Sequence, residues 1–371
     1  MKIILASDFH LSYRQYGLLE REKDFYKRYN KMIDEIIKEK PDFFIQLGDI
    51  FDEPKPKPLS IKVFNDGIKK LKDNNIDIIG IIGNHTTLQI KDFYPIDCIF
   101  NENIRFLNNN FIVYDDLFIG GVNYHTKLQK NSIKEKIDNI YNEAKKYKIK
   151  ILLLHQGLKN DIEIGYEFDE DELELNRFDY VFLGHIHKRI LRKNDTTVYH
   201  YPGSINSCSV TELIDEFKQG KGYSIFDTET GEINYKNLTK ERDFIDLNIN
   251  DDKLNKSFID DFIKSLSEYE NKPMVRINCI TKHPNNVYNF INKLEDLTLH
   301  INKNITKEYE NQLIEKFDIE KMSIEKILKD KYKEEWKSDF IIDLFKKLSK
   351  GDIDSAKQIS DNVYKKYYKG D

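Results

Sequence analysis

The chain is poor in sulfur and in chain-breaking residues, with 3 Cys, 4 Met, 1 Trp and 8 Pro among 371 residues. Cys98, Cys208 and Cys279 show neither paired nor zinc-knuckle spacing. That excludes a disulfide framework and fits a reduced, cytosolic setting. No apolar run approaches the roughly 20 residues of a membrane-spanning helix, and the run from Lys2 to Ala6 is too short for a signal peptide. A basic excess is missing as well. The net charge is −5, so any nucleic-acid site must be a local basic surface. What is abundant is charge of both signs, 33% of residues, with much Lys, Glu and Ile, a composition compatible with a heat-adapted source. The length suggests about two to three domains.

The apolar runs follow a repeated pattern. Residues 2–6 read as a buried strand ending in Ser7-Asp8-Phe9-His10. Helical spacing follows over 20–39, then a strand over 43–47 ending in Gly48-Asp49. Pro54, Pro56 and Pro58 stiffen a loop, and Ser60 caps a helix through Leu71. A third strand over 76–82 ends in Gly83-Asn84-His85. Residues 111–122 read as a hairpin and 133–147 as an amphipathic helix. A strand over 149–154 ends in His155-Gln156-Gly157, and one over 178–183 in Gly184-His185-Ile186-His187. Alternating strands and helices predict a layered α/β domain with a largely parallel component.

Ligands gather at the carboxyl ends of strands in such sheets. Five strand ends then carry Asp8, His10, Asp49, Asn84, His155, His185 and His187 to one rim, with Asp8/His10 and His185/His187 each sharing a face if their segments stay extended. Seven oxygen and imidazole donors suffice for two metal ions bridged by one carboxylate. With no cysteine among them, the set points to Mn, Fe or Zn. A phosphodiester repels hydroxide, and two cations about 3.5–4 Å apart neutralise it and activate water. His125, His200, His283 and His300 have no such company and read as ordinary core or surface residues.

Taken together and in order, Asp8-x-His10, Gly48-Asp49, Gly83-Asn84-His85, His155 and Gly184-His185-x-His187 resemble the signature of the calcineurin-like metallophosphoesterases. Within that superfamily the chain resembles the DNA double-strand break repair nucleases of the Mre-eleven (SbcD) family. The resemblance rests further on Tyr13-Arg14-Gln15-Tyr16, on Ile50-Phe51 after Gly48-Asp49, and on Tyr201-Pro202-Gly203-Ser204 ahead of Lys221-Gly222-Tyr223. It implies a two-sheet sandwich flanked by helices over 1–238, a small α+β DNA-capping domain over 239–302, a linker over 303–322 and partner-binding helices over 323–371. It further implies two Mn²⁺ ions, one held by Asp8, His10, Asp49 and His187, the other by Asp49, Asn84, His155 and His185, with His85 as general acid or phosphate-orienting group. Three positions depart from the family: Ser12 stands for the usual Gly, Thr86 for Asp and Asp52 for His.

The partners implied are DNA ends, a second copy of the chain packed through the helix from Ser60 and residues 87–100, and a zinc-hook coiled-coil ABC ATPase of the Rad-fifty (SbcC) type. The ATPase would meet an apolar stripe on residues 335–348 and a helix beginning at Asp352 or Asp354. The expected setting is the cytoplasm, at the nucleoid. By composition, Lys188-Arg189 and Arg192-Lys193 suit DNA phosphates or a solvated hairpin face equally, and the acidic run 161–174 reads as a solvated loop. Two other readings stand beside the nuclease. One is another phosphoesterase of the same superfamily, acting on phosphoproteins or small phosphodiesters, although the Arg usual after the Gly-Asp motif of protein phosphatases is missing from Phe51-Asp52-Glu53-Pro54. The other is a DNA-end scaffold with secondary catalysis.

Overall fold

The computed structural model describes residues 1–86, 104–162, 164–194, 196–308, 335–348, 355, 357–360 and 362–363. The chain forms two units, Met1–Thr306 and Lys307–Asp371.

The first unit is built on two six-stranded sheets. Sheet one contains β1 (Lys2–Ala6), β2 (Phe43–Leu47), β3 (Asp77–Ile81), β4 (Arg105–Phe106), β11 (Gly222–Asp227) and β12 (Ile233–Asn237), in the order β12-β11-β1-β2-β3-β4. Sheet two contains β5 (Asn110–Tyr114), β6 (Leu117–Val122), β7 (Ile149–His155), β8 (Tyr180–Gly184), β9 (Ile190–Asn194) and β10 (Thr197–Tyr201), in the order β5-β6-β7-β8-β10-β9. Strands β1–β4 pair in parallel, as do β6, β7, β8 and β10; antiparallel β11 and β12 extend sheet one beyond β1, and antiparallel β5 and β9 close the edges of sheet two.

Alternation along the strands makes the layers. Ile3 and Leu5 of β1 face the other sheet, in a core with Phe43, Ile45, Ile151, Leu153 and Phe182. Ile4 and Ala6 face outward, against Tyr29, Met32, Ile33 and Ile36 of the helix Leu19–Glu39 and Phe64 and Ile68 of the helix Pro58–Asp73. The outer face of sheet two packs its Leu152 and Leu154 on Ile133, Ile137 and Ile140 of the helix Lys130–Ala144. Strands buried on both faces read as unbroken apolar runs, which is why β1, β2 and β7 are plain in the sequence.

A third sheet, β13 (Phe244–Asn250), β14 (Met274–Thr281) and β15 (His300–Lys307), packs under the helices Lys256–Leu266 and Pro284–Leu294 around its own core of Val275, Ile277, Phe290 and Ile291. β15 runs to Lys307, well into residues read as linker, because Ile301 and Ile305 continue the alternation and pack on that core. Tyr16 stacks on His300 with ring centroids 3.8 Å apart, and Arg242 donates to Asp24 at 2.8 Å, joining this sheet to the two-sheet body.

Two other expectations change. Ser60 lies inside its helix, which Pro58 opens after Lys57; proline suits that first position because its missing N–H needs no partner there. The helix Val210–Gln219 was not foreseen. In the second unit the helix Glu335–Leu348 forms. The segment 87–100 of the first unit, the linker beyond 308 and the expected helix start at Asp352 or Asp354 lie outside the described residues. Among the described residues, no helix is long and apolar enough to cross a membrane.

Candidate metal centre

The strand ends do not simply run on in extended form. Asp8, His10, Asp49 and His185 have φ of 54°, 44°, 49° and 86°, a left-handed backbone that costs an L residue roughly 1–2 kcal/mol. The shared-face argument for Asp8/His10 and His185/His187 therefore fails as stated, and the side chains converge through left-handed turns. Those turns are held by backbone bonds beyond the strands: the amide of Asp8 donates to Gly48 O at 3.1 Å and that of His10 to Asp49 O at 3.1 Å. Strain held by its surroundings is characteristic of functional sites.

Two glycines let the sheets close over one another. A Cβ on Gly48, itself at φ 99°, would lie 2.1 Å from His155 Nδ1. A Cβ on Gly184 would lie 2.0 Å from Leu47 O and 2.3 Å from Ser7 Oγ. Glycine beside each ligand-like residue is thus a demand for space.

All seven candidate ligands meet at this rim, in two clusters that share Asp49. In one, the donor atoms of Asp8, His10 and Asp49 lie within 4.8 Å of one another, with His187 Nε2 3.0 Å from His10 Nε2 and 3.8 Å from Asp8 Oδ1. In the other, Asp49, His155 and His185 do the same, and Asn84 Oδ1 lies 3.1 Å from His155 Nε2 and 2.9 Å from His185 Nδ1. Asp8 and His155 are fully buried, and Asp49 and His10 nearly so. The amides of His85 and His185 donate to Asp49 Oδ1 at 2.9 Å and to Asp8 at 3.2 Å, fixing both carboxylates.

The inward-facing atoms are acceptors facing acceptors. His155 Nδ1 donates to Leu47 O at 2.7 Å, which leaves Nε2 a lone pair opposite Asn84 Oδ1 and, at 3.2 Å, Asp49 Oδ2. His187 Nδ1 donates to Glu212 Oε2 at 3.1 Å, leaving its Nε2 to face the ring of His10. Only a positive charge makes such an arrangement favourable. A proton fills that need in part. Burial works against a charged His155, but Asp49 and Asp8 lift its pKa to about 9. Burial likewise pushes the Asp49 carboxyl up, yet His155 and His10 hold it far below the usual carboxylate range. Oxygen and imidazole donors with one shared carboxylate suit a pair of divalent cations.

An oxygen lies beside the outward nitrogen of each candidate ligand imidazole, although at His10 it makes no hydrogen bond. His155 has Leu47 O; His187 has Glu212; His185 Nε2 lies 3.4 Å from Glu167 Oε1; His10 Nδ1 lies 3.3 Å from Asp52 Oδ1. Such outer partners fix ring orientation and raise ligand basicity. Burial raises the Glu212 carboxyl, but His187 and Lys221 bring it down to about 2. Lys221 in turn donates to His187 O at 2.9 Å and to Ser204 Oγ at 2.5 Å. Ser204 follows the turn that Gly203 makes at φ 77°.

Sequence reasoning missed Glu167, Glu212 and the role of Asp52. Glu167 sits in the run read as a solvated loop, and that reading is corrected. Glu167 Oε2 accepts the amide of Gly157 at 2.7 Å, Glu170 is buried, and Asp161 and Glu170 both bind Arg192. Arg192 is thereby engaged within the protein, and Arg189 donates to Asn237 Oδ1 at 2.6 Å, whereas Lys188 and Lys193 are exposed. His85 is half-buried; its Nδ1 donates to Asp52 O at 2.7 Å and its ring meets that of His10 edge-on at 4.7 Å. Of the histidines set aside, His200 is buried with Nε2 2.9 Å from Ser224 Oγ, and burial lowers its pKa to about 4, the state of a neutral structural residue. The sequence placed no cysteine here, yet Cys208 Sγ lies within 4.8 Å of the nitrogens of His10 and His187.

The family model for calcineurin-like phosphoesterases matches residues 1–189. Over 380 aligned residues, covering 100% of both chains, the chain is 30% identical to the DNA double-strand break repair protein Mre11 of Methanocaldococcus jannaschii. The chain belongs to the Mre11 family of calcineurin-like phosphoesterases. The Mre11 protein of Methanococcus maripaludis is 33% identical over 385 residues, again with 100% of both chains covered. That of Thermoplasma acidophilum is 30% identical over 241 residues, 62% of this chain and 63% of its own. Membership of the Mre11 family makes this chain a metal-dependent phosphoester hydrolase and implies a dinuclear metal site.

Proposed function

We propose that the chain is a manganese-dependent DNA nuclease, a double-strand exonuclease and single-strand endonuclease that processes double-strand breaks in the cytoplasm, at the nucleoid. The observation that carries this reading is the pair of donor clusters joined at Asp49, in a chain aligned end to end with proteins named for double-strand break repair. Asp8, His10, Asp49 and His187 would hold one Mn²⁺ ion, and Asp49, Asn84, His155 and His185 the other. Bound there, such ions would supply positive charge against the phosphodiester and an activated water. The chain's own residues do the rest. Asp49 keeps its charge in a buried site because the imidazoles around it favour the carboxylate. His85, its Nδ1 committed to Asp52 O, keeps Nε2 for a proton delivered to the leaving oxygen, help worth about 10²–10⁴ in rate.

On the same reading, residues 239–302 cap the DNA, 303–322 link, and 323–371 carry helices that bind the coiled coil of a zinc-hook ABC ATPase of the Rad-fifty (SbcC) type. A second copy of the chain completes a homodimer. Supporting the ATPase contact, Trp336, Phe340, Ile341 and Leu344 recur at helical spacing on Glu335–Leu348.

The test is hydrolysis of linear duplex DNA and of a generic phosphomonoester, each with Mn²⁺, Mg²⁺ or chelator, beside Asp49→Ala. Mn²⁺-dependent DNA degradation that disappears in the variant is the expected result. Turnover of the monoester without DNA cleavage would move the chain to the phosphatase reading.

A further inference from the structure

The edge of the centre formed by His10 and His187 carries a third donor outside the proposed ligand set. The Cys208 sulfur and one nitrogen of each imidazole lie within 4.8 Å of one another. The sulfur is not there by slack in a loop. Glu212 Oε2 accepts both His187 Nδ1–H, at 3.1 Å, and the backbone N–H of Cys208, at 3.3 Å, so a single carboxylate sets the ring and the cysteine together. Tyr13 donates to the Cys208 carbonyl at 2.9 Å, tying the same residue to the loop that follows His10. Ser209 caps the helix that carries Glu212, accepting its amide at 3.1 Å. His10 and Cys208, far apart in sequence, are thus held from both sides.

We infer that His10, His187 and Cys208 form a second, sulfur-containing cation site that takes a soft or borderline divalent ion, Zn²⁺ or Cd²⁺, in competition with the oxygen-rich arrangement around Asp8 and Asp49. Two imidazoles and a thiolate leave one position of a tetrahedron for water, a donor set suited to zinc. Thiolate selects Zn²⁺ and Cd²⁺ over Mn²⁺, which prefers carboxylate and water. The Cys208 thiol is protonated in the free protein, because burial and then Glu212 push its pKa well above the ordinary value; on binding, the metal–sulfur bond forms as the S–H bond breaks, and the thiol proton leaves to solvent. A soft ion at this edge withdraws His10 and His187 from the dinuclear centre, so the chain discriminates between metals by the edge it offers them. The inference borrows two residues from the proposed function but fails separately. A chain that degrades DNA with Mn²⁺ and forms no metal–sulfur bond keeps the nuclease and loses this site.

The experiment is a Cd²⁺ titration of the full chain, followed by the ultraviolet sulfur-to-cadmium charge-transfer absorption, beside Cys208→Ser. The expected result is a band that saturates at one equivalent in the wild type and is lost in the variant. A wild type without the band, or a variant that keeps it, overturns the inference. Should Cys208→Ser not fold, the chain carrying Cys98→Ser and Cys279→Ser has Cys208 as its sole thiol. The band must then appear there at one equivalent, and its absence is equally decisive against the site.

Discussion

The two large sheets bring different chemistry to one seam. Sheet one delivers the oxygen donors, Asp8, Asp49 and Asn84, with His10 alone as an imidazole. Sheet two delivers only imidazoles, His155, His185 and His187. Sheet one also carries three of the four left-handed candidate ligands, so its loops are strained into place, whereas sheet two supplies His155 as the last residue of a regular strand. The contacts that join them cross the seam: His155 leans on Leu47 O, and Asp8 receives the amide of His185. Sheet one alone brings Asp8, His10 and Asp49 together, but neither sheet supplies both clusters. The centre is a product of packing the sheets face to face, and the core of Ile3, Leu5, Ile151 and Leu153 is as much a part of it as the ligands.

The comparison breaks most completely at the one residue common to both clusters. Asp49→Ala removes the shared carboxylate, and DNA hydrolysis should fall by about 10³-fold or more, with calorimetry showing both Mn²⁺ equivalents weakened. If one equivalent binds unchanged, the clusters are independent. At the seam itself, Gly184→Ala puts a methyl against Leu47 O and Ser7. It should destabilise the fold by about 1–3 kcal/mol, as overpacking does, read as a lowered urea midpoint. The outer carboxylates sharpen the contrast between clusters. Glu212→Gln should lower affinity at the His187 position, and Glu167→Gln at the His185 position, each by about 10–100-fold. A Mn²⁺ titration that finds the same equivalent affected by both variants would show that the two rings serve one ion.

A gentler effect follows from the proton on His155. Its pKa rises on folding from the ordinary 6.5 to about 9, so in chelator its contribution to stability is complete below pH 6.5 and is lost as pH rises through 9. Thermal midpoints in chelator should therefore fall across that window, and saturating Mn²⁺, which replaces the proton, should abolish the fall. The smallest effect is expected at Ser12, held at φ 83°, a left-handed backbone that favours glycine. Ser12→Gly should relieve about 1 kcal/mol of backbone strain, raising the urea midpoint without touching a donor.

The strands were legible because the inner ones are buried on both sides and so write long apolar runs, but their division into two sheets was expected only through the family resemblance. The seven rim residues were legible because each follows such a run. What hid from the sequence is whatever depends on contact between distant segments. Glu167 and Glu212 look like surface acids until the fold sets them against His185 and His187. The helix Val210–Gln219 has its N-cap in Ser209, but its apolar stripe is short beside the charges around it. Arg192 reads as a phosphate contact until Asp161 and Glu170 come across to meet it. The left-handed turns at Asp8 and His10 were invisible too, since no glycine marks them.

One pairing has a consequence in time. β1 is synthesised well before β11, its neighbour on one side, which follows more than two hundred residues later, Lys2 opposite Asp227. Until then a strand apolar from Ile3 to Ala6 has a bare edge, a template for the wrong partner. β1 must wait for residues that lie beyond every candidate ligand, so a product cut short before Gly222 lacks the second partner of β1 and Phe226 of the core between the sheets.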